Sequence, residues 1–211
     1  TYTMRILWMF AISSALLASP GMAFHSIFFQ EDHSMSRTIL KASALEELSK
    51  MTTISIDSGD LDVVEKFAKT GLITDATTNP LFVSQAAANG DKRYSDMLAD
   101  AVMYAKEQKG GGDTPLPDFE PELNIAMDKL AVNLGAKLTE LVPGRVSTEV
   151  DIRLSYDTDG SAERARQIIK MYEEMGIDKS RVLIKLAGTW EGIAAAKILE
   201  AEGIQCNITL V

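Results

Sequence analysis

Two periods of apolar and polar residues take turns along this chain. From Thr52 to Ser58 the period is two: Ile54 and Ile56 alternate with polar Thr53, Ser55 and Asp57, the pattern of a half-buried strand. The segments on either side, ALEELSK at 44–50 and LDVVEKFAK at 61–69, have helical spacing instead. GLITDATTN at 71–79 reads as a strand and turn, and Asp91 to Gln108 as a charged amphipathic helix. GGGDTPLPDFEP, 110–121, is a breaker-rich loop; no strand feeds it and no Gly-Lys-Ser/Thr follows, so it is not a phosphate cradle. Leu123 to Leu141 is again helical. RVSTEVDI at 145–152 is a strand, Ala162 to Met175 a helix, RVLIKLA at 181–187 a strand, Glu191 to Ala201 a helix and IQCNITLV at 204–211 a final strand.

Strands separated by helices imply a parallel sheet, which a (β/α)8 barrel or a doubly wound sheet would satisfy equally. Periodicity does not choose between them. The chain stops inside a strand at Val211, with five strands where a barrel has about eight, and is read as an α/β barrel truncated after the fifth strand. On that reading the exposed strand edges would leave this stretch inactive and poorly soluble on its own. Alternate positions place Ser55 with Asp57, Ser147 with Glu149, Leu183 with Lys185, and Asn207 with Thr209 on one face. The opposite face carries Ile54, Ile56, Val146, Val150, Ile184, Leu186, Ile208 and Leu210. The apolar face would pack under helices and the polar one would point into the barrel, near the strand ends where such folds place their sites.

The first 43 residues have another character. Arg5 precedes an apolar run from Ile6 to Ala18 and small residues ending at Ala23, the three-part pattern of a signal peptide over about 4–23. The run is too short to span a bilayer comfortably. Phe24 to Ser43 is Ser-containing with little apolar periodicity, and GMAF at 21–24 resembles the cleavage junction of the bipartite plastid leaders of algae with secondary plastids. The acidic pair Glu31 and Asp32 departs from that type. Plastid delivery is the expectation, with a cytoplasmic protein as the alternative, and the domain proper is placed at 44–211.

Composition narrows the chemistry. A formal net charge of -9 over 211 residues disfavours nucleic acid or an anionic membrane as partner. Both histidines, His25 and His33, fall in the leader, and Cys206 is the only cysteine. Without them the domain can build neither a Ser/His or Cys/His nucleophile pair, nor a His or Cys metal site, nor an intrachain disulfide. No cofactor or metal is expected. Carboxylates, lysine, hydroxyls and amides are left to act. Lys185 lies between Ile184 and Leu186, where desolvation disfavours the ammonium form and favours a nucleophilic amine that would attack a ketone. Taken alone, a strand-end lysine is better explained by snorkelling to pair with a carboxylate.

The neighbouring segments change that balance. DATTNP at 75–80, PGRVSTEVD at 143–151, RLSYDT at 153–158 and RVLIKLAGTWEGI at 181–193 resemble, in order and spacing, the transaldolase family, over a stretch from about Leu45 to the last residue. The likeness is to the classical long transaldolases, (β/α)8 barrels of the class I aldolase type. By that resemblance Lys185 is a Schiff-base lysine acting on a ketose phosphate, sedoheptulose 7-phosphate or fructose 6-phosphate. A dihydroxyacetone unit then passes to an aldose phosphate such as glyceraldehyde 3-phosphate or erythrose 4-phosphate, a reaction of the pentose phosphate pathway. Asp57 would accept the hydroxyl proton during carbon bond cleavage, and Glu149 would shuttle protons through a water. Thr77, Asn79 and Asn207 would surround the substrate, and Thr209 would hold the catalytic water. Each also has a structural reading: Asp57 as a loop or helix cap, Glu149 as a partner of Arg145 or Arg153, and TTNP as a turn. Trp190 and Cys206 read as packing residues. Leu81 and Gly188 depart from the family's usual small or hydroxyl residue and serine. The family's phosphate-binding arginines would lie beyond Val211. Sugar phosphates are the expected partners, a homodimer is admitted, and the alternatives are another Schiff-base aldolase or a non-catalytic product.

Overall fold

A computed structural model describes residues 44–79, 91–108 and 120–210. The leader, Leu81 and most of the 110–121 loop lie outside them. Residues 44–51 form helix α1. The elements that follow are β1 (Ser55–Asp57), α2 (Leu61–Ala68), β2 (Asp75–Thr77), α3 (Lys92–Gln108), α4 (Glu120–Leu141), β3 (Val146–Glu149), α5 (Thr158–Glu174), β4 (Val182–Ala187), α6 (Trp190–Ala201) and β5 (Cys206–Thr209).

Three helices are bounded by the same local device. A side chain caps the entry: Asp60 accepts from the backbone of Asp62 and Val63, Asp157 from Gly160, and Thr189 from Gly192. A left-handed glycine closes the exit, at Gly71, Gly176 and Gly203 with φ of 73°, 78° and 77°. After the last two, Ile177 and Ile204 donate their N–H back to Tyr172 and Leu199, and each isoleucine turns inward to start the approach to the next strand.

All five strands are parallel and hydrogen-bonded in the order β1-β2-β3-β4-β5. A doubly wound sheet reverses its order part-way, whereas consecutive strands added always on the same side are the staves of a barrel. The fold is thus α/β, a curled half-barrel of the (β/α)8 type. The outward face is apolar and lies under the helices. Val150, Ile184 and Leu186 join Ala165, Ile168, Ile169, Ala195 and Leu199 in one cluster, and Ala76 and Val146 join Leu61, Val64, Leu130, Leu134 and Leu138 in a second. Cys206 packs against the first cluster.

Four expectations need correction. The third strand ends at Glu149 rather than Ile152, because Asp151 accepts from the Arg153 N–H and starts a 3-10 turn over Ile152–Leu154. The fifth strand ends at Thr209; Leu210 has φ 58° and is 68% exposed, so it does not belong to the apolar face. Helices α4 and α5 start earlier than their apolar periodicity suggests, α4 within the segment read as a loop and α5 at its Asp157 cap. Trp190 is not a packing residue among the described residues: it is 86% exposed at the start of α6.

The tightest approach lies beneath β3. Gly135 of α4 abuts Tyr172 of α5, whose buried hydroxyl bonds to Thr148 at 2.5 Å, and a Cβ at position 135 would overlap that hydroxyl. Gly135→Ala is expected to destabilise the protein by about 2–4 kcal/mol, through overpacking and loss of a buried hydrogen bond. Urea unfolding of the full-length protein checks it, and Tyr172→Phe in the same background should recover part of the loss.

Candidate active site

The inward face places the chemistry-bearing residues side by side through strand register. Asp57 pairs with Thr77, Thr77 with Ser147, Glu149 with Lys185, Lys185 with Asn207, and Ala187 with Thr209. Lys185 is only 5% exposed, and its Nζ stands 3.4 Å from Glu149 Oε2. The snorkelling alternative is therefore half right: a carboxylate partner exists, but the ammonium group has not escaped to solvent. Glu149 is not the structural partner of an arginine suggested above. Arg145 turns toward Asp75 and Gln205, and Arg153 toward Asp151 and Asn124.

Asp57 closes β1 and does not cap a helix, since Asp60 does that. Its Oδ1 is buried without a hydrogen-bond partner among the described residues. Burial raises its carboxyl above the ordinary aspartate range, and the charge of Lys185 pulls it part of the way back. A buried carboxylate oxygen with no protein donor is costly, and a ligand hydroxyl placed there would satisfy it.

Asn207 is 7% exposed and donates its Nδ2–H to Ser147 Oγ at 3.1 Å. The two residues lie on β5 and β3, two strands apart. Side chains of alternate strands meet in this way when a sheet curls into the layered interior of a barrel. Thr77 is buried at the end of β2, Asn79 is half-buried just past it, and Thr209 is half-buried at the end of β5. Lys185, Glu149 and Asn207 are thus immediate neighbours, Asp57 faces the lysine through its charge, and Thr77, Asn79 and Thr209 lie at the strand ends around them.

Alternation with Glu149 places Ser147 on the inward face but does not by itself assign it a role. Its contact with Asn207 depends on curvature, which alternation does not encode. Behind the site, Arg164 Nε and Asp128 Oδ2 are 2.6 Å apart and largely buried between α5 and α4. Burial outweighs the charge and hydrogen bond that Arg164 offers and pushes the Asp128 carboxyl up to about 6. The Cys206 thiol is pushed up to about 12 by burial, in keeping with a packing role. A polar cavity of about 470 Å³ lies elsewhere, lined by Lys50, Thr53, Ile54, Thr74 and Arg145 at the opposite, N-terminal end of the strands. The site is instead where the titratable groups converge. Among the described residues, no group of three His, Cys, Asp or Glu side chains is placed to hold a metal ion.

Residues 54–211 match the family model for transaldolase/fructose-6-phosphate aldolase. The chain belongs to that family. Among its relatives, a probable transaldolase of Dictyostelium discoideum is 50% identical over 170 residues, covering 81% of this chain and 49% of the relative. Transaldolases of Shewanella loihica and Shewanella piezotolerans are 48% and 47% identical over 170 residues, covering the same 81% of this chain and 49% of each relative. The chain spans about half the length of these curated relatives. The family match begins at the first residues leading into β1 and takes in every strand that contributes to the site.

Proposed function

We propose that the protein is a transaldolase, a transferase of the pentose phosphate pathway that carries a dihydroxyacetone unit on Lys185 as a Schiff base. The donor is a ketose phosphate, sedoheptulose 7-phosphate or fructose 6-phosphate, and the acceptor an aldose phosphate. The observation that carries the reading is a buried lysine 3.4 Å from one carboxylate and facing a second whose Oδ1 is unpartnered.

The roles follow from what each group can do where it sits. Lys185 Nζ attacks the ketone carbonyl, and the carbinolamine then loses water to leave an iminium. Each of these steps moves protons at Nζ and at the departing oxygen, within reach of Glu149 directly or through one water held by Thr209. The iminium withdraws electrons from the adjacent carbon-carbon bond. That bond breaks when the neighbouring hydroxyl gives up its proton, and Asp57 Oδ1 is the acceptor. The iminium keeps a positive charge where an ammonium would stand, facing the Asp57 anion until the bond breaks; cleavage then turns the iminium into a neutral enamine as Asp57 becomes the neutral acid, so the two charges disappear together. Thr77, Asn79 and Asn207 orient the substrate hydroxyls. The retained enamine attacks the acceptor aldehyde by the reverse of these steps, and hydrolysis regenerates Lys185.

The family also includes aldolases, in which the carbon bond is cleaved without transfer to a sugar phosphate acceptor. Full-length protein given fructose 6-phosphate should release glyceraldehyde 3-phosphate beyond one equivalent per active site only when erythrose 4-phosphate is present, with sedoheptulose 7-phosphate formed in equal amount. Continued rapid turnover without an acceptor would make it an aldolase.

A further inference from the structure

We infer that Ser147 is a positioning residue that holds the Asn207 amide beside Lys185 by accepting its Nδ2–H; this rests on the function proposed above. The bond to Ser147 Oγ is the one hydrogen bond that the Asn207 side chain makes among the described residues. Both residues are buried, Ser147 in the middle of β3 and Asn207 next to the catalytic lysine in the β4 to β5 register. Ser147 is itself a fixed platform, since Thr78 donates its backbone N–H at 2.9 Å and its hydroxyl at 3.3 Å to the Ser147 carbonyl. The hydroxyl therefore tethers β5 to β3 across the inward face of β4, above Leu183.

An asparagine amide rotates about its last bond and offers a donor or an acceptor in nearly the same volume. With Nδ2 engaged at Ser147, the other amide atoms are presented to the cavity in one fixed direction. Without that oxygen, a buried NH2 group loses its partner and the amide turns to find another. The consequence falls on how substrate hydroxyls are met, while Lys185, Glu149 and Asp57 stay in place.

Steady-state kinetics with fructose 6-phosphate and erythrose 4-phosphate on the full-length protein test this through Ser147→Ala, Ser147→Thr, Asn207→Ala and the double variant Ser147→Ala/Asn207→Ala. Ser147→Ala is expected to lower kcat/KM by about tenfold to thirtyfold, the effect of one buried hydrogen bond, and mainly through KM. Ser147→Thr, which keeps the hydroxyl, should stay within about threefold of the parent. In the Asn207→Ala background the Ser147→Ala effect should vanish, because a residue acting through another has nothing left to act on. An equal loss in both backgrounds, or none in either, overturns the inference. If Ser147→Ala does not fold, Ser147→Cys has nearly the same volume and a weaker acceptor, and the same cycle is run with it. Borohydride trapping at Lys185 in the parent separates the two levels of the argument. Trapping with no coupling between Ser147 and Asn207 sinks the positioning role alone; no trapping sinks the proposed function and the positioning role with it.

Discussion

Lys185→Met in the full-length protein is expected to lower turnover by at least about 10⁴-fold, because it removes the nucleophile on which every later step depends. Methionine fills the volume of the lysine stem, and the groups that held the site in shape are untouched. Glu149 loses its ion-pair partner but sits at a strand end with part of its side chain in contact with solvent, so the variant should fold. Near-normal KM or thermal behaviour is therefore compatible with the account, and near-normal turnover is not. Among the described residues, no other lysine is placed to substitute. Lys170 and Lys197 lie exposed on α5 and α6, on the side of the sheet away from the inward face.

Asp57→Asn and Glu149→Gln should slow different steps, each by about 10² to 10⁴-fold, the usual worth of a positioned acid or base. Asparagine at 57 cannot take the substrate hydroxyl proton, so a ketose imine should still form and be trapped by borohydride while carbon bond cleavage stalls. Glutamine at 149 should instead slow formation and hydrolysis of the imine. The pH dependence supplies a second readout. Because burial raises the Asp57 carboxyl, it becomes protonated, and useless as a base, at a pH above the ordinary aspartate range. Single-turnover cleavage should therefore fall on the acid side at a higher pH than an exposed aspartate would give, and that limb should disappear in Asp57→Asn. Identical single-turnover traces for the two variants would contradict the division of labour.

The elements were legible wherever one local rule dominated. Residues 181–187 are a strand by apolar content and β-branching, and the caps and glycines around α2, α5 and α6 mark entries and exits that any reading of the chain meets. Two kinds of feature were not legible. Strand lengths depend on competition between the ladder and local side-chain bonds, and Asp151 and Leu210 show where the ladder loses. Exposure at the start of α6 depends on what packs there, so the hydrophobicity of Trp190 misleads by itself.

The site divides along the same line. Alternation puts Lys185, Glu149, Asp57, Asn207 and Thr209 on one face, which is a statement about each strand alone. That Glu149 stands opposite Lys185, and Lys185 opposite Asn207, is a statement about register between strands. Parallel register depends on how the crossover helices pack as well as on the pattern within each strand, and that packing is not written in any one strand. The contact between Ser147 and Asn207 is one step further removed, since it also requires the sheet to curl.

The identity of the nucleophile is the point on which the account turns. Full-length protein incubated with fructose 6-phosphate, reduced with borohydride and digested should show, by peptide mass spectrometry, a single modified peptide containing residues 182–193, with the reduced three-carbon adduct on Lys185. An adduct on Lys170 or Lys197, or complete turnover with no adduct on any lysine, would contradict it.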